Sequence, residues 1–287
     1  MNDRFLVDTF SGVFEEDAEF IPLMSQEDED KINKEQTPDV LPILPLRNTV
    51  LFPQQIFPVY IGREQSLNLI DSLPKQGKKY IVVVAQEDGA IEDPKPEDLY
   101  SYGTLAQVLK VFDMPDNSKS AIVQGISRVK ILKYLQLDPY FTVSISSLED
   151  EEVTDHLEID ALTSNLRQTF EELMKVAPNL TEEHSGMLKN IQKPNRLTDR
   201  AISVITISNQ EKQEILEELN IKTRLEKALN LISREIQRIK LGEEIQTEVH
   251  DEITKTQREY YLREQMKAIK KELGEDEGTV ESKELEG

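Results

Sequence analysis

The sequence predicts an α+β protein: a small, curled, mostly antiparallel β-lobe with one helix, then an α-helical bundle that runs into one very long helix. Three observations lead there. Short β-branched and alternating runs, separated by turn residues, fill positions 40–150. From Thr154 onward the apolar spacing changes to the three-and-four step of helices. Positions 220–274 contain no proline and one internal glycine, Gly242, so they read as a single helix. At ~1.5 Å per residue it would span roughly 80 Å, more than the diameter of an ordinary domain.

Taken in order, residues 1–39 interleave Glu15, Glu16, Asp17, Glu27, Asp28, Glu29 and Asp30 with isolated apolar side chains. Such a stretch buries too little surface to offset the entropy of ordering, so it is expected to be mostly disordered and dispensable for folding. Phe10, Val13, Phe14, Phe20 and Ile21 are the residues in it suited to docking a short motif on a neighbour. Residues 40–150 form the β-lobe. Pro42, Pro45, Pro53 and Pro58 exclude an early helix and fit edge strands and turns. The unbroken run at 81–85 fits a strand covered on both faces. Strands are expected at 105–112 and 121–132, joined by a turn-rich tip that includes Met114 and Pro115. Phe141, Val143 and Ile145 alternate with polar residues, as in a half-buried strand. One helix fits 63–73, with Leu67, Ile70 and Leu73 on one face and Pro74 ending it.

The helical lobe is expected over 154–220. Ile159, Leu162, Leu166, Phe170 and Leu173 make one apolar stripe, closed by Pro178. Further helices fit 182–191 and 197–207. Ser208 and Glu211 form a capping box for a helix to about Leu219, and Asn220 suits the cap of the long helix over 221–273. In that helix Leu225, Leu229, Ile232, Ile236 and Ile239 step by four and three, a seam for the bundle or for a sister subunit. Ile245, Val249 and Ile253 step by four instead, and Leu262, Met266, Ile269 and Leu273 restart in another phase. Two halves with different neighbours are implied. Residues 274–287 read as an acidic, frayed tail.

Composition narrows the function. Cysteine is absent, which removes disulfides and thiolate metal sites. The formal net charge of −21 opposes direct nucleic-acid binding, since a phosphate backbone needs a basic face. No segment has the length and apolarity of a membrane span or a signal peptide, so a cytoplasmic protein without a membrane partner is expected. No phosphate loop of the form G-x-x-x-x-G-K-[ST] and no G-x-S-x-G elbow occurs. His156, His184 and His250 are scattered, and none has the i, i+4 partner of a helical zinc site. Catalytic, cofactor and metal residues are therefore expected to be absent, and with them ATPase and peptidase activity.

The run Leu41-Pro42-Ile43-Leu44-Pro45-Leu46-Arg47-Asn48-Thr49-Val50-Leu51-Phe52-Pro53 resembles the opening signature of the ATP-dependent Lon proteases. Gly62-Arg63-Glu64, Gly103-Thr104-Leu105-Ala106 and Gly125-Ile126-Ser127-Arg128-Val129 are similar to later parts of the same amino-terminal region. Arg258-Glu259-Tyr260-Tyr261-Leu262-Arg263-Glu264-Gln265-Met266-Lys267-Ala268-Ile269-Lys270-Lys271-Glu272-Leu273-Gly274 resembles the segment that leads into the family's ATPase module. The resemblance covers about 40–274. It implies a region that captures unfolded or tagged proteins and helps gather subunits into a hexamer. It also implies that an AAA+ module using ATP and Mg, and a Ser-Lys protease domain, lie beyond Gly287. The alternatives are a pure oligomerisation scaffold and a small-ligand reader, the use of this β-lobe in some eukaryotic adaptors. Met114, Pro115, Tyr260, Tyr261 and Met266 are the apolar groups suited either to substrate contact or to ordinary packing.

Overall fold

The computed structural model describes residues 38–151 and 156–273. The acidic segment read as disordered and the tail after Leu273 fall outside the described residues, apart from Pro38 and Asp39. Described residues fall into two compact units. One holds the strands together with Ser208–Ile221; the other holds the described parts of Thr154–Ile207 and Lys222–Gly287.

In the first unit the strands are β1 (Val40–Leu46), β2 (Ile56–Ile61), β3 (Tyr80–Ala85), β4 (Tyr102–Asp113), β5 (Lys119–Gln136) and β6 (Thr142–Leu148). Helix α1 (Glu64–Ser72) lies between β2 and β3 in sequence. Sheet order is β2-β5-β4-β3-β1-β6, and β6 also pairs with β5. That extra pairing closes β5, β4, β3, β1 and β6 into a ring, with β2 added beside the first part of β5. Closure removes most free edges. It is possible because β5 is 18 residues long. Its residues 119–124 pair with β2, and 128–136 with β6. All pairings are antiparallel except β1 with β3.

The expectation that Pro42 and Pro45 mark an edge or turn is corrected here. β1 has neighbours on both sides, but at different stretches: β6 at 40–42 and β3 at 43–46. The Ile43 amide donates to Phe141 O. Amides alternate sides along a strand, so the nitrogen of Pro42 faces β3 before that pairing begins. Likewise the nitrogen of Pro45 faces β6 beyond its end. Neither missing N–H breaks a ladder. Pro58 lies in β2, which pairs with β5 alone, and Pro53 lies in a turn, as expected.

β3 supplies both cores. Ile81 and Val83 join Leu44, Leu69, Ile70, Val108 and Val123 under α1. Val82 and Val84 join Leu41, Ile43, Leu105, Val129, Val143 and Ile145 on the other side. This is the two-faced burial that an unbroken β-branched run requires.

Helices α2 (His156–Val176), α3 (Glu182–Asn190), α4 (Pro194–Val204) and the 52-residue α6 (Ile221–Glu272) belong to the second unit, apart from Ile221. Ile159, Leu166, Phe170 and Leu173 are the buried stripe of α2. From α6, Leu225, Ala228, Ile232 and Ile236 are buried, while Leu229 and Ile239 are half-buried. Arg224 and Asp199 form a buried ion pair, Nη1 to Oδ1 3.8 Å, tying α6 to α4. Lys222 reaches Glu158 of α2 at 2.7 Å.

One boundary differs from the sequence reading, which placed 208–220 in the helical lobe. Helix α5 (Asn209–Glu217) instead groups with the strands. Its start is the expected capping box: the Glu211 amide donates to Ser208 Oγ at 3.3 Å, and Ser208 N donates to Glu211 Oε2 at 3.0 Å. The reason for its grouping is a set of long-range hydrogen bonds to β4, β5 and the end of the β-region.

Candidate functional site

The residues of the recognisable motifs mostly build the scaffold. A Cβ on Gly103 would sit 2.5 Å from Val83 O, so only glycine lets β4 approach β3 this closely. Gly125 plays the same part for the turn after the opening motif: a Cβ there would lie 2.3 Å from Phe52 O. Its amide donates to Gln55 O and its carbonyl accepts from Gln54 N, at 2.9 and 2.8 Å. The buried Thr104 hydroxyl donates to Leu51 O at 2.6 Å. Arg63 donates to Gln86 Oε1 at 2.5 Å, and the buried Gln86 donates onward to Ile91 O at 2.9 Å. Burial, and then the neighbouring Arg47, lower the Arg63 pKa.

Arg128 holds α5. Its buried side chain donates through Nε to Leu216 O at 2.8 Å, in the last turn of that helix. A cation there also complements the negative end of the helix dipole. Gln213 donates to Tyr102 O at 3.0 Å, Glu151 N donates to Leu219 O at 3.0 Å, and Asn220 donates to Glu151 Oε2 at 2.7 Å. Asn220, proposed from sequence as a cap for the long helix, thus has its side chain turned to Glu151.

Met114 and Pro115 lie at the β4–β5 tip, Met114 half-buried and Pro115 exposed. The tip is tightly made. Met114 N donates to Ser118 O at 2.9 Å, Asn117 adopts φ 63°, and Asp116 accepts from Ser118 N at 3.0 Å and from Tyr60 OH at 3.2 Å. The Ser118 hydrogen bonds hold the Asp116 carboxyl below its ordinary pKa. A rigid turn therefore presents Pro115 outward.

Among the described residues, the distal half of α6 carries a long run of exposed apolar side chains. Ile245, Val249, Ile253, Tyr260, Tyr261, Leu262, Met266, Ile269 and Leu273 are each at least half exposed, from 50% to 69%. At ~100° per residue, the row through Ile253 and the row from Leu262 point about 130° apart. The structure thus brings Tyr260, Tyr261 and Met266 onto one exposed rod. It does not bring them together with Met114 and Pro115 in any described contact.

A small apolar cleft in the helical unit is lined by Leu166, Phe170, Leu188, Leu197 and Ala201, with Arg167, Glu171 and Lys189 at its border. Arg167 shapes it by donating to Leu188 O at 2.6 Å and also to Ile191 O, beyond the end of α3. A second patch, Leu132, Leu135 and Leu137 on β5 and just after it, escaped the sequence reading because β-bulges break its alternation. Beside it Tyr134 packs edge-on against Phe141, ring centres 5.9 Å apart, and burial pushes its phenol up to about 12.

Among the described residues no group of three or more His, Cys, Asp and Glu is placed to hold a metal ion. His156 and His250 are exposed; the side chain of His184 is outside the description. No described helix is long and apolar enough to cross a membrane.

A family model described as the ATP-dependent protease La (LON) substrate-binding domain matches residues 40–234. The Lon protease of Koribacter versatilis (strain Ellin345) is 42% identical over 247 residues, covering 85% of this chain but 30% of its own length. The Lon protease of Flavobacterium johnsoniae is 37% identical over 262 residues, 91% of this chain and 32% of its own length. The chain therefore spans less than a third of these curated relatives. Among solved structures, the N-terminal domain of the Mycobacterium avium complex Lon protease superposes with a TM-score of 0.55 at 21% identity. It covers 68% of this chain and 98% of its own, which supports the fold.

Proposed function

We propose that this chain, which belongs to the LON substrate-binding domain family of the ATP-dependent protease La, captures unfolded or tagged polypeptides and performs no catalysis itself. Within a longer Lon-type protein it delivers them to an ATP-driven motor and a serine peptidase. The observation that carries the reading is the form of the exposed apolar surface. It is spread along a rod and a rigid hairpin tip rather than shaped into a pocket. Unfolded chains share apolar side chains but no common shape, so adaptable, distributed contacts suit them. Several weak contacts on one molecule, and several molecules in one assembly, raise avidity without a tight site. Met114, Pro115, Tyr260, Tyr261 and Met266 are assigned to substrate contact.

Photo-crosslinking to one model protein, in its unfolded and its folded form, tests this. Crosslinks to the unfolded form that are lost with the folded form are expected. Equal labelling of both would overturn the capture reading.

One observation favours a second role. Among the described residues nothing covers the apolar rows of distal α6, and each row is regular enough to meet another helix. We therefore also propose that the arm joins sister subunits, with a hexamer as the assembled form. Ile253→Pro costs about 3 kcal/mol or more within a helix and separates the arm from whatever follows it. In the intact protease we expect impaired degradation of large or folded proteins, with small-peptide cleavage largely retained. Unchanged protein degradation would show that the arm transmits nothing.

A further inference from the structure

Where β5, β6 and β1 run side by side, the outer face of the barrel carries an apolar patch next to the point at which the chain enters the fold. Val40 stands opposite Ser144, and Ser144 opposite Lys133. Pro42 stands opposite Thr142, and Thr142 opposite Gln136. Register shifts between Ile131 and Lys133, and between Tyr134 and Gln136, leave Leu132 and Leu135 with no partner on β6. A bulge leaves its extra residue unpaired and can re-aim the side chain. Val40, Leu132, Leu135 and Leu137 are 48%, 60%, 51% and 52% exposed. With strands ~4.8 Å apart and ~3.3 Å per residue along them, all four fall within roughly 20 Å.

The occupant follows from where the chain leads. Ile145 N donates to Asp39 O at 2.9 Å, which fixes the entry of the chain beside β6. Val40 is itself part of the patch, so the preceding residues begin at its border. Residues 1–37 contain Phe10, Phe14 and Phe20 among polar and acidic neighbours. A tether of a few tens of residues holds such side chains at roughly millimolar effective concentration over the patch. A second copy of the chain has no such advantage at this face, because no tether holds it there.

We propose that residues 1–37 fold back and seat Phe10, Phe14 and Phe20 on the face made by Val40, Leu132, Leu135 and Leu137, as an intramolecular ligand that screens it from other apolar chains. The absence of cysteine makes a direct test clean. In the full chain, the pair Phe14→Cys with Leu135→Cys is oxidised beside a control pair, Phe14→Cys with Tyr60→Cys. Tyr60 is 51% exposed, as Leu135 is, and sits on β2 opposite Ser120, at the other end of β5. We expect the first pair to close an intramolecular disulfide about tenfold faster than the control, since docking adds to what the tether alone supplies. Equal rates would reduce the effect to tethered collision and overturn the proposal. A disulfide-linked dimer as the main product would assign the face to a second copy and overturn it too. As a second measurement, replacing Phe10, Phe14 and Phe20 by Ser should raise the fluorescence of an added hydrophobic dye. Adding Leu132→Ser and Leu135→Ser should abolish that rise; no rise at all would count against docking.

Discussion

The two halves of α6 carry apolar residues at nearly the same frequency and meet opposite fates. In the proximal half, Leu225, Ala228, Ile232 and Ile236 are buried, as are the charged Arg224 and Glu235. In the distal half, from Leu241 to Leu273, every residue with a described side chain is exposed. Helical spacing of apolar residues therefore reports that a stripe exists, and says nothing of what covers it. The more telling sequence difference is the phase. Steps of four and three keep one narrow seam, whereas repeated steps of four drift around the helix and a restart changes faces. The half with one constant seam is the half with a core.

The sharpest way to break the contrast is at the buried ion pair. Arg224 is fully buried and Asp199 nearly so. Arg224→Ala removes the cation beside a buried carboxylate, and the expected loss is about 3–5 kcal/mol. Urea unfolding followed by far-UV circular dichroism measures it. A loss within about 0.5 kcal/mol, the usual range for surface sites, would mean the proximal half is far more solvated than its burial indicates.

Next in size is a matched pair on the same helix. Ile232→Ala empties a site in the core and should cost about 2–5 kcal/mol. Ile253→Ala removes a side chain that is half exposed, and should change stability by less than about 0.5 kcal/mol in the isolated chain. Repeating the measurement in an assembled protease sharpens the comparison. A cost that appears there at Ile253 alone identifies the distal rows as an interface.

The same contrast explains what could be read from the sequence. Strands, helices and the 52-residue helix are set by local periods and breakers, so β3, β4, β5, β6 and α6 fall close to their expected positions. The closure of the sheet was hidden because it depends on one long strand serving β2 with one stretch and β6 with another. Pro42 and Pro45 suggested an edge because proline reports a missing donor, not which side of the strand lacks a neighbour. The grouping of α5 with the strands rests on Arg128 and Gln213 reaching Leu216 and Tyr102 across 88 and 111 residues. No local window contains that information. The motif glycines were visible as a signature, yet their role, close approach to Val83 O and Phe52 O, belongs to packing alone. The candidate contact residues were visible in the sequence as apolar types; the structure adds that Pro115, Tyr260, Tyr261 and Met266 are exposed and Met114 half-buried.

The smallest expected effect lies at the junction of the two halves. Gly242 is the glycine inside α6, and a Cβ added there meets nothing within 4 Å beyond its adjacent residues and the local helix backbone. Gly242→Ala therefore gains helix propensity without a clash, about 0.5–1 kcal/mol. The proximal half, anchored in its core, already provides the costly first turns, so the distal half only has to propagate. The gain should appear where the helix depends on its own propensity. Amides over 242–252 should exchange up to about fivefold more slowly, as ~1 kcal/mol of local stability implies. The global unfolding midpoint should scarcely move, because the distal half opens without the core. If instead the midpoint rises with no change in local exchange, the distal half unfolds together with the core. The difference between the two halves would then be one of exposure only, not of stability.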